Sequence, residues 1–159
     1  MSWTTLILLA TASVLGIQPD PKMAYVVIEA ERVEIGKDQP TWIGFENRGE
    51  IVHVSARDAI VKLYPGLNRL DHIDFQKNWL SHDGVLSTHK EIKLNLDAGK
   101  IYLFGRIELR KMSRNKWDIN YGGWAETLKK ACNKAPELFD KFEISAFDTR
   151  PDFKISCEQ

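Results

Sequence analysis

The sequence predicts a mainly β protein: an antiparallel β-sandwich of immunoglobulin-like or transthyretin-like type, with a C-terminal helical segment. Three observations carry this reading. Short stretches of alternating apolar and polar residues recur along the chain, Gly, Pro and Asn turn signals separate them, and helical spacing enters only after residue 123. A parallel sheet would need helices between its strands, and no helical period interrupts the early ones. With 159 residues, 43% hydrophobic and 28% charged, the chain has enough material for one domain with its own core.

The first element is not a strand. Leu6 to Leu15 form an apolar run broken only by Thr and Ser, ending at small residues before "GIQPDP", which predicts a signal peptide over residues 1–16. Cleavage is expected after Gly16, with Val14 and Gly16 as the small side chains, and Ala10 with Ala12 offers a second site. No Lys or Arg precedes the run, so only the amino terminus supplies positive charge at its front. The run is also shorter than the roughly 20 residues a spanning helix requires, so no integral membrane span is expected.

Residues 17–159 then read as a single domain. "AYVVIEAERV", from Ala24 to Val33, is rich in β-branched residues and predicts the first strand. "TWIGFEN" and "EIVHVS" follow as a hairpin across Asn47-Arg48-Gly49. "AIVKLYPGLNRLDHIDF" predicts another: Ala59, Val61 and Leu63 on one face, a turn at Pro65-Gly66, and a return carrying Leu70, Ile73 and Phe75. The spacing of that return is imperfect, which places a bulge near Asp71 or His72. Ile92, Leu94 and Leu96 alternate before Asp97-Ala98-Gly99, and Ile101, Leu103, Ile107 and Leu109 alternate after it; Trp117, Ile119 and Tyr121 make a further strand. Trp124, Leu128, Ala131, Cys132 and Ala135 recur at helical spacing until Pro136 ends or restarts the helix before "ELFDKF". Phe153, Ile155 and Cys157 alternate in an extended tail, so seven or eight strands are expected in all.

Charge and cysteine content narrow the class of function. Lys plus Arg and Asp plus Glu number 22 each, without the basic excess that drives salt-dependent nucleic-acid binding, so DNA and RNA are not expected partners. The densest basic stretch, from Arg106 to Lys116, is expected to be a solvated strand end and loop. The two cysteines, Cys132 and Cys157, are expected to form one disulfide between helix and tail, in keeping with export to an oxidising periplasmic or extracellular compartment. By loop entropy such a bridge contributes about 3 kcal/mol.

The candidate chemistry lies between residues 53 and 89. His53, His72, His82 and His89, with Asp71, Asp74 and Asp83, could assemble a metal site from adjacent loops, yet none of the histidines has ligand spacing and no H-E-x-x-H or paired C-x-x-C occurs. His53 is expected to be a surface or half-buried strand residue, and Asp83-Gly84 to be turn chemistry. Ser81, Ser87 and Ser113 sit in no nucleophile turn, so no catalytic residue, metal or cofactor is assigned. Among the rings, Trp124 is expected to pack the helix onto the sheet. Trp79, in the polar stretch "FQKNWLSHDG", is the one expected to be exposed, and Trp79, His82, Asp83 and His89 become the candidate contact residues for a ligand or partner.

A resemblance adds to this reading. "KLYPGLNRLDHIDF" followed by "IKLNLDAGKIYLFGRI" resembles the LPPG-x-Y-x-L and L-x-x-G-x-x-Y-Y-I-G pair of uncharacterised bacterial envelope proteins and lipoproteins of β-sandwich type, and "WAETLKKACNKAPELFDKF" is similar to the C-terminal helical segment of some of them. Tyr64 stands where the first Pro would be, Asn68 where the Tyr would be, and no lipid-anchor Cys follows the apolar run. Across residues 24–142 the resemblance implies an envelope location and a non-enzymatic role, with no catalytic residue to carry over.

The expected function is therefore an exported, non-catalytic binding or structural module of the bacterial cell envelope, with an envelope protein or glycan as partner. Two alternatives stay open: a small secreted metal-dependent hydrolase using His72, Asp74, His82 and His89, and a periplasmic antagonist that holds its target through the 76–89 loop.

Overall fold

Alternation builds the strands, and the one that breaks the pattern sits at the centre. β1 (Ala24–Arg32) is buried at its first seven residues because both its faces are covered: Ala24, Val26, Ile28 and Ala30 join the core between the sheets, whereas Tyr25 and Val27 join a second core under the helices. In the computed structural model the described residues are 17–78, 81–87, 92–114, 116–146 and 155–158, with backbone alone for 76–78 and 81–87. Residues 1–16, where the signal peptide is expected, lie outside them.

The remaining elements are β2 (Trp42–Asn47), β3 (Glu50–Ser55), β4 (Ile60–Leu63), β5 (Gly66–Asn78), β6 (Ser81–Ser87), β7 (Lys93–Leu96), β8 (Lys100–Ser113), β9 (Lys116–Gly122), α1 (Trp124–Lys134), α2 (Pro136–Lys141) and β10 (Glu143–Ala146). They form two five-stranded sheets, mostly antiparallel, packed in a sandwich-like arrangement with the helices at the C-terminal end of the chain. In sheet A the order is β10-β8-β1-β4, and β9 also pairs with β8; in sheet B it is β3-β2-β5-β6, and β7 also pairs with β5. The long strands β5 and β8 each serve two partners along one edge. Residues 66–69 pair with β7 and 72–78 with β6, while residues 100–103 pair with β10 and 106–113 with β9.

The expected hairpin of β2 and β3 forms, with Asn47 opposite Glu50. Arg48 and Gly49 both take positive φ, 53° and 84°, as a two-residue turn matched to strand twist demands. The stretch 59–75 is not a hairpin, however. β4 pairs with β1 in sheet A, whereas β5 pairs with β2, β6 and β7 in sheet B, so Pro65-Gly66 is a corner between sheets. The buried Asn68 steadies the corner: its amide donates to the Tyr64 and Gly66 carbonyls at 2.9 and 3.2 Å, and the Asn47 amide of β2 reaches the Tyr64 and Pro65 carbonyls at 3.4 and 3.5 Å. Ala59, expected on the strand, precedes it in a left-handed conformation with φ 62°.

Two pairings depart from the antiparallel expectation. β8 runs parallel to β1 (Tyr25 opposite Ile101) and to β10 (Glu143 opposite Lys100). Parallel neighbours need a long crossover: the whole of sheet B lies between β1 and β8, and α1 and α2 lie between β9 and β10. The described residues thus hold ten strands rather than seven or eight. β10 is one that sequence reasoning missed. In the expected tail strand, Phe153 lies outside the described residues and residues 155–158 are not strand.

The helices cover the outer face of sheet A. α1 buries Thr127, Leu128, Ala131 and Cys132, and α2 opens on Pro136, whose missing N–H costs nothing at a first helical position. Their apolar residues close over Tyr25, Val27, Ile60, Ile101 and Leu103, with Ile17, Phe142 and Ile155 at the margin. Trp124 seats α1 as expected, its ring lying over Gly105 where a Cβ would come within 2.8 Å of it. Cys132 and Cys157 form the expected disulfide, with Cα atoms 5.7 Å apart and a sequence separation of 25, which fastens the tail to α1.

Candidate functional site

Sheet B has one face in the core and one turned outward, and across the described residues no helix covers the outward face. Pairing fixes which side chains occupy it. His53 stands opposite Gly44, which stands opposite His72; one rung on, Ser55, Trp42 and Asp74 align in the same way, and on the other side Ile51, Glu46 and Arg69 do. Trp42, Ile51 and Leu67 are 39%, 47% and 44% exposed, an unusual display of large apolar groups on one sheet face.

The two histidines meet above the glycine. Their Nε2 atoms are 3.0 Å apart, and their ring centroids are 5.0 Å apart with planes at 60°. Gly44 permits this because any side chain there would run into the His72 ring. On the far side of that ring, Nδ1 lies 2.8 Å from Asp71 Oδ2. Asp71 reaches it from the bulge that the imperfect spacing predicted: Gly44 pairs with His72 and Phe45 with Leu70, so Asp71 is the extra residue. His72 is mostly covered, its side chain 12% exposed, and Asp71 is 48% exposed.

This chain of three groups has a defined hydrogen-bond logic. An ionised Asp71 only accepts, so His72 Nδ1 carries a proton toward it. In the neutral ring Nε2 is then a lone pair, and His53 Nε2–H donates to it. The arrangement can hold or pass a proton, and it presents two imidazole nitrogens to one point in space. Among the described residues no group of three His, Cys, Asp or Glu side chains stands close enough to enclose a metal ion.

The expected contact residues fare differently. Trp79 and His89 lie outside the described residues. His82 and Asp83 fall on β6, with His82 opposite Gln76, so the 76–89 segment expected as a loop is largely the β5–β6 hairpin. For both residues the backbone alone is described. His72, which the hydrolase alternative groups with Asp74 and with His82 or His89, meets His53. The residues that sequence reasoning missed are His53, Gly44 and Asp71 as partners; the available signal was a glycine in the middle of a strand, which marks a close approach.

No family model matches the chain. No curated protein or solved structure matches it either. The site is therefore argued from its own geometry.

A second polar cluster lies under α1. Glu29, 5% exposed, accepts from Thr127 Oγ1 and Lys130 Nζ at 2.9 Å each, and Arg106 Nε lies 3.6 Å from it. Arg106 also reaches Glu126 at 2.8 Å and Glu31 at 3.2 Å. Burial works against its charge, but the hydrogen bond to Glu126 and the carboxylates of Glu31 and Glu29 outweigh burial and hold its pKa above the ordinary guanidinium value. Arg106 is thus the centre of an ion network, with a side chain 14% exposed, rather than the solvated strand end expected from the basic stretch. A cleft of about 240 Å³ opens beside it, lined by Glu29, Glu31, Gln39, Arg57 and Lys130 among others. The network bolts α1 to β1 and β8, which is a structural task. Further along, the stretch is solvated as expected: Arg110, Lys111, Arg114 and Lys116 are exposed, with Lys111 Nζ 5.6 Å from the centre of the Trp117 ring.

Proposed function

We propose that the protein is an exported, non-catalytic binding module of the bacterial cell envelope that holds its partner on the outward face of sheet B. The observation that carries this reading is the asymmetry of the two sheets. The outer face of sheet A is occupied by α1, α2 and the disulfide-fastened tail, whereas that of sheet B carries Trp42, Ile51 and Leu67 around the His53 and His72 pair. Trp42, Ile51 and Leu67 share this face with Glu46, Arg69, Asp71 and Asp74, the mixture of exposed apolar and polar side chains that recognition surfaces use. Export is supported by the Cys132–Cys157 bridge, since structural disulfides persist in oxidising compartments, and by the signal-like run before Ile17. The envelope assignment rests on the sequence resemblance, and the partner on this reading is an envelope protein or glycan.

Retention tests the reading. Immobilised protein is exposed to detergent-solubilised envelope and to purified cell-wall glycan, without added metal, beside the variants Ile51→Glu and Trp42→Ala. Both positions are exposed, so these variants should keep the fold. Retained material that is lost with either variant supports the open face as the contact surface; retention unchanged in both places the contact elsewhere and overturns the proposal.

A further inference from the structure

Two imidazole nitrogens brought together across one rung of a sheet can supply two ligands of a coordination sphere, and their present hydrogen-bonded spacing can be set against what such a sphere requires. With metal–nitrogen bonds of about 2.0–2.1 Å, nitrogens in adjacent positions of a square or octahedral sphere stand about 2.9 Å apart, and those of a tetrahedron about 3.4 Å. The 3.0 Å between His53 Nε2 and His72 Nε2 is close to the first value. Borderline ions with tetragonal preference, Cu²⁺ and Ni²⁺, fit that angle, and imidazole is a donor that suits them.

We propose that His53 and His72 form a bis-imidazole site for a divalent transition-metal ion of the copper or nickel class, with water or a partner's side chain completing the sphere. Three features of the sheet prepare it. Gly44 clears the space in which the rings meet. The shared rung sets both nitrogens at one height on the face. Asp71 accepts from His72 Nδ1, which leaves Nε2 as the lone pair and raises its donor strength, the outer-shell arrangement that metal-binding histidines favour. Binding breaks the hydrogen bond between the rings: the His53 proton moves from Nε2 to Nδ1 through solvent, and the rings turn so that both Nε2 lone pairs face an ion lying off the line between the two nitrogens. The sphere's open positions point outward, toward the surface on which the partner is proposed to sit, so an ion held there can bridge to a donor group of that partner. Asp71 is a positioning residue here, since it touches His72 and not the ion.

The inference deepens the reading of sheet B as the ligand face, and its test is independent of any partner. Cu²⁺ is titrated into the full chain against a weak competing chelator, with Trp42, one rung away, as a fluorescence reporter and electron paramagnetic resonance as a count of bound nitrogens. One ion per chain with two imidazole nitrogens is expected. His53→Gln and His72→Gln should each lower the affinity at least tenfold and remove one nitrogen from the spectrum. Asp71→Asn should keep both nitrogens while weakening binding about tenfold. His53→Gln alters an exposed residue, and a single cooperative thermal unfolding transition in the absence of metal serves as the control for folding. A stoichiometric ion held by His53→Gln as tightly as by the parent chain, or no difference between the parent and a His53→Gln, His72→Gln double variant, overturns the proposal. Failure there leaves the metal-free retention experiment standing.

Discussion

Replacing Gly44 with alanine separates the histidine pair from the fold that carries it. The new Cβ would overlap His72 Cε1 and stand 2.7 Å from Nδ1. The neighbour in the way is the end of a side chain on an open face, so the ring can swing outward without moving backbone. In swinging it gives up the contacts to His53 and Asp71. At about 1 kcal/mol net for each hydrogen bond the loss is about 2 kcal/mol. Alanine in a strand recovers about 0.5–1 kcal/mol relative to glycine by restricting the unfolded chain. The variant should therefore be destabilised by only about 1–1.5 kcal/mol, while the rings separate completely. Urea unfolding measures the first quantity. Nitrogen–proton correlation spectra of the imidazoles measure the second: the pattern of a donor His53 Nε2–H and an acceptor His72 Nε2 should be replaced by two independent rings, and copper affinity should fall with it. A Gly44→Ala protein that keeps the parent imidazole spectrum, or loses more than about 3 kcal/mol, would refute the reasoning, because either result means that His72 does not rest over Gly44 on a free face.

Other outcomes follow from the same contacts. Reducing the bridge, or replacing Cys132 and Cys157 with serine, should cost about 3.5 kcal/mol by loop entropy for a 25-residue separation, seen as a lower urea midpoint. Arg106→Met withdraws one of the two cationic partners of Glu29, leaving Lys130, and should cost about 2 kcal/mol, whereas a substitution at the exposed Tyr64 should change stability by less than about 0.5 kcal/mol; equal effects would deny the network its role. Glu34 gives a pH dependence. Burial pushes its carboxyl upward, but the Lys111 N–H at 2.6 Å and Arg32 Nε at 3.0 Å outweigh burial and hold its pKa below the usual 4.5. A carboxyl depressed in the folded state contributes stability above its unfolded value and loses it as pH falls through the folded one. Glu34→Gln should accordingly flatten part of the acid limb of the stability curve and leave the slope near neutrality unchanged.

Local pattern carried much of this architecture. β-Branched content placed β1, alternation placed β7, β8 and β9, and Arg48-Gly49 marked the hairpin of β2 and β3 through turn chemistry explicit in the residues. Irregular spacing announced the bulge at Asp71, and helical spacing with Pro136 announced the two helices. What escaped was set by pairing between distant segments. Nothing local says that residues 60–63 and 66–78 belong to different sheets; the Asn68 amide that steadies the corner reads, in sequence, like any polar residue in a strand. Nor does the parallel run of β8 beside β1 leave a local mark, because its direction follows from how many times the chain has already crossed between sheets. β10 escaped because Ile144 supplies too little alternation over four residues. The histidine pair is the sharpest case. His53 and His72 lie 19 positions apart, and they become neighbours only once β2 is inserted between β3 and β5 with a glycine at the shared rung. The disulfide, in contrast, was legible because two cysteines admit one intramolecular pairing.

The central claim of the proposed function is export, with the protein folded around its joined cysteines. The most direct measurement is the intact mass of the protein isolated from its own cells after fractionation, with and without reductant and alkylation. The account predicts a periplasmic or secreted species that begins at Ile17, with Ser13 as the second cleavage option, and whose two thiols resist alkylation until reduced. A full-length cytosolic species with both thiols free would contradict it.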